Sequence, residues 1–283
     1  NFALTMNDIQ VSKKTTQELL SFEQTNAFST FFLDYINGKD KLKDFYDLAP
    51  ELENFEKQIS KKEFSQKNRE NLHKVLTEQY KNITNPPQKL IDSLLLPNTF
   101  TITTGHQLNV FSGPLYFHYK IITVIKLAEE LKKKYPNYNF VPLYWMASED
   151  HDYEEISTFN LFGKQFKWKT EQKGAVGRFS TEGLGQIIEE IGENCEPFTQ
   201  AYTENKNLTD ATRFYTHEFY KEKGLLILDA DNKVLKSELK SVIKDELLNH
   251  TANDLVEKTT KSLKDLGYKA QIYPRKINLF YLN

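Results

Sequence analysis

The stretch FVPLYWM at residues 140–146, followed by SEDHD at 148–152, decides the fold class of this chain. An unbroken apolar run of this length predicts a strand that is covered on both faces, as in a parallel sheet. The polar residues that follow place carboxylates and an imidazole directly at the end of that strand. A buried strand that is followed directly by polar and ionisable residues is typical of an α/β enzyme.

Two more segments repeat the arrangement. Residues 100–104 form a β-branched, alternating strand that leads into Gly105-His106-Gln107, and the apolar residues 225–228 lead into Asp229-Ala230-Asp231. Helical patterns separate the strands, and the first has a broad face that we expect to be buried, made by Ile121, Ile122, Val124, Ile125, Ala128 and Leu131. Strands that alternate with helices predict βαβ units and a Rossmann-like, doubly wound parallel α/β sheet. Ligands bind beyond the carboxyl ends of such strands, so we expect the three polar ends to line one cleft.

The same patterns divide the chain into four predicted segments. A mainly helical N-terminal region covers residues 1–97, and the first half of the core covers 98–163. A connecting, β-rich insertion follows at 164–207, and the second half of the core occupies 208–283.

Local signals make three finer predictions. We expect a short β excursion around Lys173-Gly174, a helix capped by Thr209, and two final strands at 270–273 and 277–282. The chain begins before its first methionine, Met6, and stops directly after an apolar run. We therefore expect the natural protein to start at Met6 and to continue past the last residue.

Composition restricts the classes of function. Lys and Arg number 37 against 39 Asp and Glu, a net charge of −2, which argues against a nucleic-acid partner. No apolar run approaches the roughly 18 residues of a membrane helix, and the N-terminus has no secretory signal pattern. We expect a cytoplasmic protein without a membrane partner.

The single cysteine and several histidines receive no catalytic role. One cysteine excludes an intramolecular disulfide and a multi-cysteine zinc site. The acidic neighbours of Cys195 raise the pKa of its thiol and make it a poor nucleophile. We expect His118 to be packed or half-buried, and we expect surface positions for His73, His217 and His250.

Three motifs carry a resemblance to a known family: TGHQ at 104–107, GPLY at 113–116 and WMASEDHDYEEI at 145–156. Shorter matches support it in the same order along the chain, namely GAVGR at 174–178, LTDATR at 208–213, LILD at 226–229 and YPR at 273–275. Together they resemble the bacillithiol-biosynthesis cysteine-adding enzymes, a family of cysteine ligases.

The resemblance implies a core similar to class I aminoacyl-tRNA synthetases and nucleotidylyltransferases. The implied reaction joins the carboxyl group of L-cysteine to the amine of glucosaminyl-malate, with ATP as the activating cofactor and Mg²⁺ as a further candidate. Family members are longer, and they continue into more core strands and a coiled-coil arm. The resemblance therefore implies a homodimer formed through a C-terminal region outside this chain.

The first candidate site is a nucleotide-binding turn. A helix N-terminus carries about half a positive charge and presents free N–H groups, which suits phosphates. The residues assigned to it are Thr104, Gly105, His106, Gln107, Ser112 and Gly113. We expect His106 to donate to a phosphate oxygen; an ordinary β-to-α turn with a surface histidine is the alternative.

The second candidate site holds substrates and moves protons. The catalytic candidates are His106, Asp150 and His151, because packed carboxylates beside an imidazole favour proton transfer. Substrate binding is assigned to Glu149, Asp150, Asp152, Arg178, Asp229 and Asp231. The cluster at 149–152 can hold an ammonium group, bind Mg²⁺ or supply a base, and an acidic helix start has the same composition. No metal-ligating residue is assigned, since the spacing of zinc ligands is missing.

Two alternatives stay open for individual side chains. Arg178 suits a bidentate contact with a carboxylate such as malate, and a surface hairpin arginine explains it equally well. Asp229 and Asp231 suit contacts with a ribose or an amine, whereas Asp231 can also cap the next helix.

Two other functions stay open for the chain as a whole. One is a nucleotidylyltransferase-like enzyme that acts on another small molecule. The other is a non-catalytic nucleotide-binding module.

Overall fold

The computed structural model describes residues 18–279. Contacts between Cα atoms divide these into two compact units, one built from 18–54 and 254–274 and the other from 55–253 and 275–279. The four predicted segments describe order along the chain and stay a prediction. Met6 and the last residues of the second predicted C-terminal strand lie outside the described residues.

The larger unit is an α/β structure around a parallel sheet. Its strands are β1 (Thr99–Gln107), β2 (Asn139–Ala147) and β5 (Leu226–Asp229), in the order β1-β2-β5, and both neighbouring pairs are parallel. A separate antiparallel pair consists of β3 (Thr158–Leu161) and β4 (Lys164–Lys167). The predicted α/β class with a parallel sheet is confirmed.

Helices account for about half of the residues of this unit. Those before β2 are α2 (Phe55–Lys61), α3 (Gln66–Gln79), α4 (Gln88–Ser93) and α5 (Leu115–Lys134). Those after β2 are α6 (Tyr153–Ile156), α7 (Leu184–Ile191), α8 (Phe198–Glu204), α9 (Leu208–Tyr220), α10 (Lys233–Ser237) and α11 (Lys240–Leu248).

Helix α5 connects β1 to β2 and covers one face of the sheet. Its buried side chains are Phe117, Ile121, Val124, Ile125, Ala128 and Leu131, which recur at helical spacing. The predicted buried face is therefore confirmed except at Ile122, which is 42% exposed. The last turn carries Lys132, Lys133 and Lys134, and their positive charges interact favourably with the negative C-terminal end of the helix dipole.

The outer edge of β5 is closed by side chains of α3 and its C-cap. The Gln79 amide donates to the Asp229 carbonyl at 3.0 Å and accepts from the Asp229 N–H at 2.9 Å. The Tyr80 hydroxyl accepts from the buried Ile227 N–H at 2.9 Å. An unpaired strand edge is thus satisfied by a helix terminus, which also fixes where β5 ends.

The smaller unit is helical, with α1 (Thr30–Ile36) and most of α12 (Thr251–Asp265). Leu42, Leu263 and Tyr268 form its buried cluster, and aromatic residues around it are half-buried. The Tyr268 hydroxyl donates to Asp34 at 2.6 Å. Phe31, Phe32 and Tyr35 recur at helical spacing and all lie within α1.

Several finer predictions are wrong. The hairpin turns at Phe162-Gly163, where both residues have positive φ, and Lys173-Gly174 lies in a loop. Asn207 caps α9, since its side chain accepts from Asp210 N–H, and Thr209 lies inside the helix. Residues 270–273 form no strand. His217 is 3% exposed because it packs edge-on against Tyr80.

Candidate functional site

The carboxyl ends of the three parallel strands lie side by side. Gln107 pairs with Ala147 in the β1–β2 register, and Met146 pairs with Asp229 in the β2–β5 register. Parallel strands end at one edge of a sheet, so the polar residues after each strand share that edge. The three strand ends therefore meet at one edge of the sheet, as expected.

Gln107 joins the first strand end to the second. Its side-chain amide donates to Asp150 at 2.6 Å and to Glu155 at 3.0 Å. Burial tends to raise the pKa of Asp150, but hydrogen bonds from Gln107 and from the backbone N–H groups of His151 and Asp152 outweigh it and lower the pKa. Asp150 is therefore an ionised carboxylate at neutral pH.

Ser148 joins the second strand end to the third. Its hydroxyl donates to Asp229 Oδ1, and the same oxygen accepts from the Asp231 N–H at 2.9 Å. Asp229 is thus bound by its side chain at the site and by its backbone to Gln79. These contacts hold Asp229 in place at the edge of the sheet.

The Asp231 carboxylate forms ion pairs with two basic side chains. Its Oδ2 accepts from Arg178 Nε at 2.7 Å, and its Oδ1 accepts from Lys236 Nζ at 2.6 Å. Burial tends to raise the pKa of Asp231, yet the two cations lower it overall. Asn232 caps α10, so the capping alternative for Asp231 is wrong. Arg178 is bound within the protein, and with its side chain 66% exposed it still presents a surface to solvent.

The loop before Arg178 packs directly on the end of β2. Val176 N–H donates to the Asp150 carbonyl at 2.7 Å, and Gly177 N–H donates to the Ser148 carbonyl at 2.9 Å. A Cβ on Gly177 would lie 2.6 Å from Ser148 Cβ and would also collide with Thr209 Oγ1. Glycine is required here by close approach, and this approach brings Arg178 to Asp231.

His106 is buried and its proton can be placed. The ring is 8% exposed and packs against Tyr116 and Phe117 of α5. Nδ1 lies 2.8 Å from the Gln107 carbonyl, which can only accept, so Nδ1 carries the hydrogen. Burial lowers the pKa of His106. In the neutral ring Nε2 is then an acceptor.

The remaining residues of the predicted phosphate turn alternate between the faces of β1. Gly105 is exposed, and a Cβ there would meet only the Trp145 carbonyl at 3.9 Å. The ammonium group of Lys120, on α5, donates to the Gly105 carbonyl. Thr104 is half-buried on the same face as His106. The open space above Gly105 and the nearby positive charge fit an anionic group.

Ser112 and Gly113 form the tight turn before α5. Ser112 and Gly113 have φ of 63° and 68°, and a Cβ on Gly113 would lie 2.6 Å from Asn109 Cβ. The Ser112 hydroxyl lies 3.1 Å from His118 Nε2, and His118 Nδ1 lies 2.7 Å from the Tyr220 hydroxyl. Burial lowers the pKa of His118, in line with its predicted packed position.

His151 and Asp152 lie at the outer rim. The His151 side chain is exposed, and Asp152 caps α6 by accepting from the Glu155 N–H at 3.3 Å. Asp152 is therefore engaged as an acidic helix start. Cys195 lies outside this network, and burial, followed by Glu193 and Glu196, raises the pKa of its thiol as predicted.

Sequence reasoning missed four side chains of this network: Gln79, Lys120, Ser148 and Lys236. The sequence pattern could have indicated Ser148, since this residue follows β2 directly. The other three lie on helices whose patterns carry no sign of what they contact. Residues 18–279 hold no group of three His, Cys, Asp or Glu side chains placed to share a metal ion. No helix within that range is long and apolar enough to span a membrane.

Comparisons with known proteins agree with the α/β fold described above. A family model described as "Bacillithiol biosynthesis BshC, N-terminal Rossmann-like domain" matches residues 15–283. The chain is 47% identical over 279 residues to a protein of Flavobacterium johnsoniae named "Putative cysteine ligase BshC", covering 94% of the chain and 52% of the relative. Relatives of the same name are 46% identical in Christiangramia forsetii, with 93% and 52% covered, and 39% identical in Cytophaga hutchinsonii, with 94% and 51% covered. The chain thus spans about half the length of these curated relatives.

Proposed function

The chain belongs to the family of bacillithiol biosynthesis BshC N-terminal Rossmann-like domains, and from this premise we propose that it serves a cysteine ligase. The proposed reaction joins the carboxyl group of L-cysteine to the amine of glucosaminyl-malate. One observation carries the proposal: Gln107 hydrogen-bonds Asp150 across the first and second strand ends, and Ser148 hydrogen-bonds Asp229, which also accepts from Asp231 N–H, across the second and third. Such an edge is where α/β sheets bind small molecules.

ATP is the proposed cofactor because a carboxylate does not react with an amine without activation. When bound, ATP would supply the leaving group that the cysteine carboxylate lacks. Gly105 offers open space for phosphates, and Lys120 adds a positive charge beside it. We assign Mg²⁺ no ligand in this chain and keep it as a partner of the ATP phosphates, which commonly retain the ion with few protein contacts.

Each residue at the sheet edge has a separate proposed role. Asp150 is ionised and suits the positively charged ammonium group of a substrate. His106 presents an unprotonated Nε2, so we propose that it accepts a proton from the amine as the amide bond forms, in place of donating to a phosphate. His151 is the solvent-side candidate for passing that proton to water, since its side chain is exposed. Arg178 remains a candidate for the malate carboxylates through its exposed face.

Localisation and assembly are proposed with the activity. We propose that the enzyme works in the cytoplasm. We also propose a homodimer that forms through the part of the longer relatives that lies outside their match to this chain.

Product analysis with ATP, L-cysteine and glucosaminyl-malate tests the function. We expect cysteine-dependent release of either AMP with pyrophosphate or ADP with phosphate, which also identifies the mode of activation. Asp150→Asn and His106→Asn should lower the rate at least tenfold, and Glu154→Gln, an exposed residue paired with Lys167, serves as the control. Turnover driven by another acid and not by cysteine would favour a nucleotidylyltransferase. ATP binding without any turnover would favour a non-catalytic module.

A further inference from the structure

A cavity of about 330 Å³ lies on the sheet face opposite α5. Alternate residues of the three parallel strands form its floor, and α3 and α10 contribute to its sides. The walls are mainly apolar, with Phe64, Leu72, Leu143, Trp145, Leu228 and Leu235 among the lining residues. Trp145 is 42% exposed although it lies in the central strand. A volume of this size is within the range of small-molecule sites.

Glu149 is one of the residues that line this cavity. Glu149 Oε2 is buried and has no hydrogen-bond partner among residues 18–279. The other charged groups of the lining are engaged, since Lys236 is bound to Asp231 and Glu238 accepts from Asn71 at 2.7 Å. A buried carboxylate oxygen without a partner costs free energy, which a cation bound to the same carboxylate group would offset.

We propose that this cavity binds L-cysteine, with its ammonium group on Glu149 and its thiol-bearing side chain against Trp145. The proposal rests on the proposed function and deepens it. An ammonium group forms a charge-assisted hydrogen bond with a carboxylate, and it is also attracted to an indole face. A sulfur atom makes favourable contacts with aromatic rings, so the side chain of cysteine suits the apolar wall.

Glucosaminyl-malate fits the same cavity poorly. Its hydroxyl groups would lose their hydrogen bonds to water against Leu72, Leu143 and Leu228, which offer none in return. Its malate carboxylates would also be repelled by Glu149. The amino sugar therefore belongs at the outer part of the strand edge, near Arg178, and the cavity is left to the amino acid.

Isothermal titration calorimetry with three thiols tests the assignment. L-Cysteine and cysteamine carry an ammonium group, whereas 3-mercaptopropionate keeps the thiol and carboxylate without it. We expect the first two to bind and the third to bind at least tenfold more weakly. Glu149→Gln should weaken cysteine binding at least tenfold, and Glu154→Gln, which has the same chemistry at an exposed position, should leave it unchanged. Thermal unfolding of both variants shows that the fold is intact.

Three results would overturn the assignment: no binding of cysteine at millimolar concentration, equal binding of 3-mercaptopropionate, or wild-type affinity in Glu149→Gln. Failure of the cavity and failure of the function remain distinguishable. Cysteine-dependent turnover with an unchanged KM for cysteine in Glu149→Gln would reject the cavity alone. Glu149-dependent cysteine binding without turnover would reject the activity alone.

Discussion

Replacing Gly177 by alanine tests whether the loop before Arg178 is held by close packing on β2. The new Cβ would lie 2.6 Å from Ser148 Cβ and 2.8 Å from the Ser148 carbonyl oxygen, whereas carbon contacts are optimal at about 3.5–4.0 Å. Ser148 cannot retreat freely, because its hydroxyl is bound to Asp229 and its carbonyl accepts from Gly177 itself. The strain must be relieved by moving the loop.

The expected cost follows from these contacts. Overpacking a core position costs about 1–3 kcal/mol, and we expect the upper end here since backbone atoms are involved. For a chain of this size that corresponds to a fall in Tm of roughly 6–12 °C. Movement of the loop would also separate Arg178 from Asp231, so that hydrogen exchange at the loop amides should rise.

Gly185 provides the matched control. It lies inside α7 and a Cβ there would meet no atom within 4 Å. Alanine is favoured over glycine in a helix by about 1 kcal/mol, so Gly185→Ala should raise the free energy of unfolding. Differential scanning calorimetry measures both variants. A wild-type Tm for Gly177→Ala, or a similar fall in both variants, would refute the close-packing explanation.

Three further outcomes follow from the described contacts. Tyr80→Phe leaves the buried Ile227 N–H without its acceptor and should lower the free energy of unfolding by about 1–3 kcal/mol in urea titrations; an unchanged value would show that the hydroxyl is not needed. Gly105→Ala should leave Tm unchanged, because space is open there, but should weaken binding of a fluorescent ATP analogue; equal affinity would contradict close approach of a phosphate. Burial lowers the pKa of His106 and His217 in the folded state. Below the ordinary histidine pKa of about 6.5, the unfolded chain therefore binds more protons than the folded chain. Stability should therefore fall as the pH drops from 7 to 5, by at most about 1.4 kcal/mol per pH unit for each histidine, and a rise in urea midpoint on acidification would contradict it.

Much of the fold follows from local patterns. The apolar run at 140–146 and the helical spacing within α5 depend only on near neighbours, and both elements form as predicted. The convergence of the strand ends was also predictable, because right-handed parallel connections leave few other arrangements. Errors occurred where two local signals competed. The β excursion was predicted around Lys173-Gly174, whereas the pairing of β3 with β4 places the hairpin turn at Phe162-Gly163.

The individual contacts of the site could not be read in this way. Gly177 looked like any loop glycine until Ser148 was brought against it, and Arg178 looked free until Asp231 lay beside it. The proton position on His106 depends on the direction of one carbonyl group, and the unpaired oxygen of Glu149 depends on what surrounds it on every side.

The amino-acid sequence alone determined the class of fold, the strands that end in polar residues, and the edge where they meet. Tertiary structure alone decided which of those residues are bound to one another and which remain available to a ligand. The physical reason is range: periodicity and capping act within a few residues along the chain, whereas burial, ion pairing and close approach join residues far apart in sequence. Arg178 and Asp231, 53 positions apart, come together only after the sheet has formed.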